Sequence, residues 1–357
     1  MIKTYKIETG AIQLLFEIGK LATQSASSVV CYSGDSKVLS TLCIGKEVSD
    51  FPVGEEFAPL TCEYRERSAA AGKIPGGFFK REGKPSDNEI LISRLIDRPI
   101  RPLLPKGYFY DTQIISLVLS ADKNNPTDIL AVNASALAFL LSPIPQRQPL
   151  ACVRVCKVNK EFCVNPSLDT IKNSSLNIVI AGTKNGIVML EGDAQDVSES
   201  DILSAIEYGY NYILKIIELE EKILSDMKVE NTNAIRLIEP DQALFTKIKH
   251  QYYNEFRKAL EQSKKKERNE KLEQLREQLI KDITVEIPDC EIRVLSLLIQ
   301  KLEREIFEEL VQLNRRFDGR ELDELREITC EVGLLPRVHG SALFNRGETQ
   351  ALATVTL

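Results

Sequence analysis

Residues 76–86 of this 357-residue sequence read Gly76-Gly77-Phe78-Phe79-Lys80-Arg81-Glu82-Gly83-Lys84-Pro85-Ser86, and residues 93–103 read Ser93-Arg94-Leu95-Ile96-Asp97-Arg98-Pro99-Ile100-Arg101-Pro102-Leu103. The glycines leave the backbone free to adopt positive φ angles, and aromatic and cationic side chains follow at once. Rings that stack on bases, and cations that hold the phosphate backbone, bind single strands without reading their sequence. The pattern predicts an RNA contact at Phe78, Phe79, Lys80 and Arg81. The alternative is that both phenylalanines are core residues behind a turn.

A short helix is predicted to follow this loop. Ser86 suits the N-cap position, and Glu89 is placed three residues later to complete a capping box. Pro99 disfavours a helical conformation for the residue before it. The helix is therefore predicted to end near Arg98, with Arg101 just beyond it.

Three arginines follow one another on this segment at spacings of four and three residues, namely Arg94, Arg98 and Arg101. Such spacing places guanidinium groups on one face of a helix, and Asp97 could pair with either Arg94 or Arg101. One acid among three bases leaves a positive surface, which favours phosphodiester binding. The alternative is a lattice of salt bridges that joins subunits or domains.

Outward from this segment, residues 1–230 have the pattern of an α+β block. Alternating apolar and polar residues between turn signals predict strands, and longer apolar or amphipathic runs predict helices. The predicted elements are a hairpin of residues 28–32 and 38–42 around Gly34, a strand at 114–119, a buried helix at 128–141 that Asp128 could cap, hairpins of 152–158 with 162–164 and of 176–181 with 187–190, and a helix at 200–227 capped by Ser198.

Residues 231–314 change to helical character. Leucine-rich stripes predict helices at residues 263–282 and 291–314, separated by Pro288. The first of these helices opens with a cluster of basic residues, which are Lys264, Lys265, Lys266 and Arg268. This cluster is either a second RNA contact or a solvated face balanced by neighbouring glutamates, and the solvated face is favoured.

An internal repeat relates Gly34 to Gly347 at an offset of 347 − 34 = 313 residues. Each glycine is followed by an acid and a hydroxyl residue, and each lies between runs typical of strands. The repeat predicts that residues 315–357 open a second domain of the same kind. Because the strand pattern continues to Leu357, this second domain is expected to be truncated.

Composition and charge limit the class of protein. The formal net charge of −6 is unusual for a nucleic-acid binder, but clustered cations act locally, within about 8–10 Å in physiological salt. The sequence has no apolar run of membrane-spanning length and no signal-peptide pattern, so a cytoplasmic protein without a membrane partner is expected. The eight cysteines lack metal-binding spacing, so buried free thiols are expected rather than a zinc site or disulfide framework.

Together, residues 76–86 and 93–103 resemble the first RNase PH-type core of the polynucleotide phosphorylase family. The family's loop has two arginines after its two phenylalanines, and Lys80 replaces the first of them, which keeps the charge but loses bidentate geometry. The resemblance continues through the helical region into residues 316–320, 335–344 and 346–352, which are similar to the opening of the family's second core. It covers essentially the whole chain.

This resemblance implies an α+β fold in three parts. These are a first RNase PH-like core at residues 1–230, an all-α domain at 231–314 and the truncated start of a second RNase PH-like core at 315–357. The resemblance also implies a homotrimeric ring whose channel is lined by Phe78, Phe79, Lys80 and Arg81, with KH and OB-fold RNA-binding domains elsewhere in the longer protein.

The activity that the resemblance implies is 3′-to-5′ phosphorolytic degradation of single-stranded RNA in mRNA turnover, with inorganic phosphate consumed and nucleoside diphosphates released. Mg²⁺ and an RNA-degradation complex are implied as cofactor and partner. The phosphate-binding serines and metal-binding carboxylates of the family, and with them the catalytic residues, are expected beyond Leu357, and neither His250 nor His339 is expected to be catalytic. The isolated chain is therefore expected to lack phosphorolysis.

Two other functions are compatible with the sequence. A non-catalytic RNA-binding ring or scaffold subunit would bind RNA more tightly at low salt without turnover. A single-core phosphorolytic tRNA-processing enzyme is the other, but the helical region and the opening of a second core argue against it.

Overall fold

The computed structural model describes residues 2–48, 59–229, 235–262 and 264–357. Its strands are β1 (Lys3–Thr9), β2 (Ile12–Ile18), β3 (Ser27–Ser33), β4 (Ser36–Glu47), β5 (Leu60–Glu66), β6 (Tyr110–Ser120), β7 (Ala151–Val158), β8 (Glu161–Val164), β9 (Leu176–Thr183), β10 (Gly186–Ala194), β11 (Ile328–Val332), β12 (Gly340–Arg346) and β13 (Thr349–Val355). Its α-helices are α1 (Asp87–Ile100), α2 (Thr127–Leu140), α3 (Leu168–Lys172), α4 (Glu199–Met227), α5 (Gln242–Leu260), α6 (Lys265–Glu286) and α7 (Ile292–Gln312). The fold class is α+β, as predicted.

The first compact unit, which ends at Glu239, contains two sheets. The six-stranded sheet has the order β1-β2-β3-β4-β6-β5, and its neighbours are antiparallel except for the parallel pair β5 and β6. The four-stranded sheet has the order β10-β9-β7-β8 and is antiparallel. Helix α2 contacts β3, β4 and β6 of the first sheet and β7 of the second, so it forms the centre of the core.

The buried helix predicted at residues 128–141 is confirmed as α2. Every residue from Ile129 to Leu140 is buried, and a helix that is apolar on all sides belongs in a core. The side chain of Asn133 donates to the carbonyl oxygen of Cys152 at 2.8 Å and accepts from its amide at 3.0 Å, which satisfies the buried amide group. The predicted cap is wrong, because Pro126 holds the N-cap position and the Asp128 carboxylate pairs with Arg154.

The predicted hairpins and the long helix of this unit are confirmed. The turn between β3 and β4 has Gly34 at a φ of 54°, a left-handed conformation that glycine adopts at little cost. The turn between β7 and β8 is formed by Asn159 and Lys160, both with positive φ. The Ser198 side chain accepts from the Asp201 amide at 3.2 Å and caps α4.

The second compact unit extends from Pro240 to Leu357 and contains α5, α6 and α7, which pack on one another. Their shared core is formed by buried side chains that include Ile248, Phe256, Leu279, Leu298 and Leu302. The two predicted helices are confirmed as α6 and α7, although Ser263 lies outside the described residues. Residues 230 and 231, where a domain boundary is predicted, also lie outside them, and the boundaries at 230 and 314 stay predictions.

The third sheet, β11-β12-β13, reproduces the predicted repeat in its register. Ser33 pairs with Ser36 and Ser27 with Leu42 in the first hairpin, while Arg346 pairs with Thr349 and Gly340 with Val355 in the second. Each of these positions is shifted by 313 residues, and Gly347 repeats the positive φ of Gly34 at 59°. The repeat is therefore present in three dimensions as well as in sequence.

Candidate nucleic-acid interface

The two phenylalanines of the quoted stretch lie on the surface. Phe78 is 93% exposed and Phe79 is 81% exposed, so the interpretation of these residues as core is wrong. Their ring centroids are 5.5 Å apart with planes at 85°, an edge-to-face pair. Exposed rings of this size are available to stack on planar ligands.

The backbone that presents these rings is open. A Cβ atom built on Gly76 or Gly77 would have no heavy-atom neighbour within 4 Å, and Gly77 has a φ of 76°. Lys80 also has a positive φ, 51°, which is uncommon for a residue with a side chain. Residues 74–82, called the aromatic loop below, therefore present Phe78, Phe79, Lys80 and Arg81 away from the packed core.

Helix α1 follows the aromatic loop and begins at the predicted capping box. The Ser86 side chain accepts from the Glu89 amide at 3.2 Å, and the Glu89 carboxylate accepts from the Ser86 amide at 2.7 Å. The same carboxylate accepts from the amide of Glu66 at the end of β5, at 2.9 Å. Partial burial raises the pKa of Glu89, but hydrogen bonds from the Ser86 and Glu66 amides outweigh it and hold that pKa below its usual value.

The predicted end of this helix is wrong by two residues. Helix α1 continues through Pro99 to Ile100, and a 3₁₀ turn at Arg101–Leu103 follows. Pro99 and Ile100 are both buried, so packing outweighs the local preference against helix before a proline. Arg101 lies just beyond the helix, as expected.

The three arginines are in different environments. Arg94 is exposed, and its guanidinium is in none of the described ion pairs. Arg98 pairs with Glu191 on β10 and donates to the Leu190 carbonyl oxygen at 3.3 Å. Arg101 donates to both carboxylate oxygens of Asp97 and to the Leu60 carbonyl oxygen, which settles the choice of partner for Asp97.

Arg94 and Arg101 share a cleft of about 490 Å³ between β5 and α1, while Arg98 faces β10. The expectation of one shared arginine face is therefore correct for two of the three. Cys62 also lines this cleft. Burial, with a smaller effect of Asp97, raises the pKa of its thiol, so Cys62 is neutral and a poor nucleophile.

The basic cluster at the start of α6 has the properties of a solvated face. Lys264 pairs with Glu267 at 2.9 Å, and Lys266 pairs with Glu270 at 4.0 Å. Arg268 donates to the Gln262 carbonyl oxygen and lies 5.9 Å from the centre of the Phe317 ring. Lys264 and Lys266 are thus paired with glutamates of α6, as the solvated face predicts.

Sequence reasoning missed a polar cluster around the buried Arg154. Its guanidinium pairs with Asp128 and contacts the Asn177 side chain, and Asn177 donates to Asp193 at 3.0 Å. Arg154 is the one arginine of the strand β7, and its neighbours in sequence do not indicate that its partners lie on two other elements, α2 and β9. Arg154 is itself buried and its charge is paired with Asp128, so the cluster joins three elements of the fold rather than forming an open site.

Other candidate chemistry is sparse in the described part of the chain. No group of three or more His, Cys, Asp or Glu residues there has the arrangement of a metal site. His250 is exposed, and His339 Nδ1 accepts from the Leu357 amide at 2.8 Å. No α-helix within the described ranges is long and apolar enough to cross a membrane.

Two models of known protein families match the chain. Domain 1 of the 3′ exoribonuclease family matches residues 13–145 and 324–357, the segments that contain the two repeated hairpins, and domain 2 of that family matches residues 148–212. The chain belongs to the 3′ exoribonuclease family.

Within this family, the chain is similar to polyribonucleotide nucleotidyltransferases. That of Thermosipho melanesiensis is 44% identical over 353 residues, covering 97% of this chain and 50% of the relative. Those of Koribacter versatilis and Geotalea uraniireducens are 41% and 39% identical, covering 98% and 99% of this chain but 43% and 50% of the relatives. The resemblance to the polynucleotide phosphorylase family is confirmed, and the chain spans about half the length of these relatives.

Proposed function

We propose that this chain is part of a 3′-to-5′ phosphorolytic exoribonuclease of mRNA turnover, which releases nucleoside diphosphates from single-stranded RNA with inorganic phosphate. Its relatives of about twice its length are named polyribonucleotide nucleotidyltransferases, which supports the reaction class. The observation that carries the role of this chain is the exposed pair Phe78 and Phe79 beside Lys80 and Arg81. We assign RNA guidance to these four residues.

The aromatic loop suits single-stranded RNA for a physical reason. Stacking of a base on an aromatic ring stabilises binding by roughly 1–3 kcal/mol and tolerates any base, because every base has a π face. Lys80 and Arg81 add attraction for the phosphate backbone that does not depend on sequence. An exonuclease that degrades RNA of any sequence needs this kind of contact.

The three arginines on and just after α1 contribute unequally in this proposal. The exposed guanidinium of Arg94 can meet phosphate without breaking a described ion pair. Arg98 and Arg101 are weaker candidates, because binding phosphate would compete with Glu191 and Asp97. We therefore rank Arg94 above the other two as a phosphate contact.

The catalytic charges are assigned to parts of the longer protein outside this chain. In phosphorolysis, a phosphate oxygen attacks the phosphorus of the 3′-terminal linkage, and the bond to the 3′-oxygen of the preceding nucleotide breaks. This chemistry depends on neutralised charge, for which Mg²⁺ is a common aid. We assign the proposed Mg²⁺ ligands and the phosphate-binding groups to those other parts as well.

The proposal includes an arrangement and a setting. We place an all-α domain, around α5, α6 and α7, between a first RNase PH-like core and the start of a second. The separate matches of domain 1 at residues 13–145 and 324–357 support this order. A homotrimeric ring, a cytoplasmic location and association with an RNA-degradation complex complete the proposal.

The reaction is tested by incubating poly(A) with the full-length protein and with this chain, each with and without inorganic phosphate. We expect phosphate-dependent release of adenosine diphosphate from the full-length protein, and RNA binding without release from the chain alone. Turnover by the chain alone would contradict our assignment of the catalytic charges. RNA binding without turnover by the full-length protein would favour a scaffold subunit instead.

The role of the aromatic loop is tested by the affinity of this chain for fluorescent poly(A). Replacing Phe78 and Phe79 by alanine is expected to weaken binding about tenfold or more, because each ring contributes roughly 1–3 kcal/mol of stacking. The matched control is Val285→Ala, which shortens a side chain that is 78% exposed on α6. Equal affinity of the double variant and the control would contradict the RNA-guidance role.

A further inference from the structure

The segment before the aromatic loop is fixed to the core. A 3₁₀ turn at Ser68–Ala71 ends at Gly72, whose φ of 68° is left-handed. The Ala121 amide, at the end of β6, donates to the Ala70 carbonyl oxygen at 3.0 Å, and the Lys73 amide donates to the Ser68 carbonyl oxygen at 3.0 Å. Ser68 therefore belongs to a rigid platform at the edge of the six-stranded sheet.

The segment after the aromatic rings returns to this platform through Glu82. The Ser68 amide donates to Glu82 Oε1 at 2.8 Å, and the Ser68 hydroxyl donates to Glu82 Oε2 at 3.3 Å. Both carboxylate oxygens thus bind one residue that lies fourteen positions earlier in the chain. Hydrogen bonds to an ionised carboxylate are stronger than those between neutral groups.

The apex between these anchors has little packing of its own. Gly76 and Gly77 lie in open space, and the described ring contact of Phe78 is with Phe79. The orientation of the two rings relative to the sheet is therefore set at the base of the loop, where Glu82 contacts Ser68. Without that contact, the next described hydrogen bond that closes the loop joins Glu89 to Glu66.

We propose that Glu82 is a positioning residue whose carboxylate, bound to the Ser68 amide and hydroxyl, holds Phe78 and Phe79 in the orientation that receives single-stranded RNA. This inference rests on the proposed RNA-guidance function of the aromatic loop. Glu82 does not itself contact RNA, because its carboxylate is negative and both oxygens face Ser68.

Electrostatics and positioning predict opposite effects for removal of this acid. Loss of a negative charge beside Lys80 and Arg81 would strengthen attraction to phosphates if Glu82 were an ordinary surface acid. If Glu82 positions the loop, its loss lets the loop sample many orientations. The free energy needed to order the loop must then be spent on binding, so the affinity for RNA falls. The sign of the change in affinity therefore separates the two roles.

The experiment compares Glu82→Ala and Glu82→Gln with the control Glu63→Ala, which removes an exposed acid on nearby β5. Loop opening is measured without RNA as the rate of chymotrypsin cleavage after Phe78 and Phe79, and RNA affinity is measured with fluorescent poly(A). For Glu82→Ala we expect cleavage to be about three- to tenfold faster and binding about three- to tenfold weaker, the range that the net contribution of a typical hydrogen bond implies.

Glu82→Gln retains an oxygen that accepts from the Ser68 amide, so cleavage close to the wild-type rate and binding no weaker than wild type are expected. Glu63→Ala is expected to leave cleavage unchanged and to leave binding equal or tighter. If chymotrypsin cleaved Glu82→Ala at the wild-type rate, or if Glu82→Ala bound RNA more tightly than wild type, the inference would be overturned.

Failure of the proposed function gives a different pattern. One such pattern is that Phe78→Ala and Phe79→Ala bind RNA as well as wild type, while chymotrypsin still cleaves Glu82→Ala faster. In that case Glu82 anchors the loop, but the loop does not bind RNA. If the aromatic variants weaken binding and Glu82→Ala changes neither measurement, RNA guidance stands and the positioning role of Glu82 is wrong.

Discussion

At the scale of single residues, Glu220 on α4 is the acid most separated from water in the part of the chain that the structure describes. Its side chain is fully buried, Oε2 accepts from the Leu150 amide at 3.1 Å, and Oε1 has no hydrogen-bond partner in the described residues. Burial raises the pKa of Glu220 well above its usual value, and the Leu150 amide opposes this only in part. The native state therefore holds this proton more tightly than the unfolded chain does.

That difference predicts how stability depends on pH. As pH rises above the ordinary value of 4.5, the unfolded chain releases the proton first, so the free energy of unfolding falls until Glu220 ionises in the native state. The free energy of unfolding is measured with urea at pH 5 and at pH 8. Relative to wild type, the free energy of unfolding of Glu220→Gln should be higher at pH 8 than at pH 5 by more than about 1 kcal/mol. Glu221→Gln, which changes a partly exposed neighbour paired with Lys184, is the control: it removes only the smaller effect of the Glu221 charge on the pKa of Glu220, so it should gain much less.

At the scale of elements, the capping box joins the aromatic loop to α1. Replacing Ser86 by alanine removes the acceptor for the Glu89 amide and should cost about 1 kcal/mol of helix stability. Hydrogen exchange should accordingly be faster in the first turn of α1. The control is Ser204→Ala in α4, which removes an exposed side chain bonded to the Ser200 carbonyl oxygen and should be neutral or stabilising. Equal exchange in α1 of both variants would show that the cap contributes nothing.

Elements with a local cause could be predicted from sequence, whereas contacts between distant residues could not. The hairpin around Gly34 and the cap at Ser86 depend on residues within a few positions, and both are confirmed. The exposure of Phe78 depends on what packs nearby, and two phenylalanines after a turn have the same pattern in a core. The partner of Arg98 lies 93 residues away, so no spacing rule could have identified Glu191.

At the scale of the whole molecule, two independent features agree on the internal duplication. The hairpins β3–β4 and β12–β13 share one register at an offset of 313 residues, and domain 1 of the 3′ exoribonuclease family matches both regions. The sequence comparison predicted this repeat because the turn glycines and the strand period survive even where most side chains differ. The aromatic loop lies outside the repeated hairpin, between β5 and α1, so its chemistry belongs to the first matched region.

The RNA-guidance role proposed for the aromatic loop requires that this loop contact single-stranded RNA directly. The most direct measurement is photo-crosslinking of the chain to RNA that contains 4-thiouridine, with the attached residues identified by mass spectrometry. We expect crosslinks at Phe78 and Phe79 that are lost when excess unlabelled poly(A) competes. Crosslinks concentrated instead at Lys264–Arg268 on α6, with none between residues 74 and 82, would contradict it.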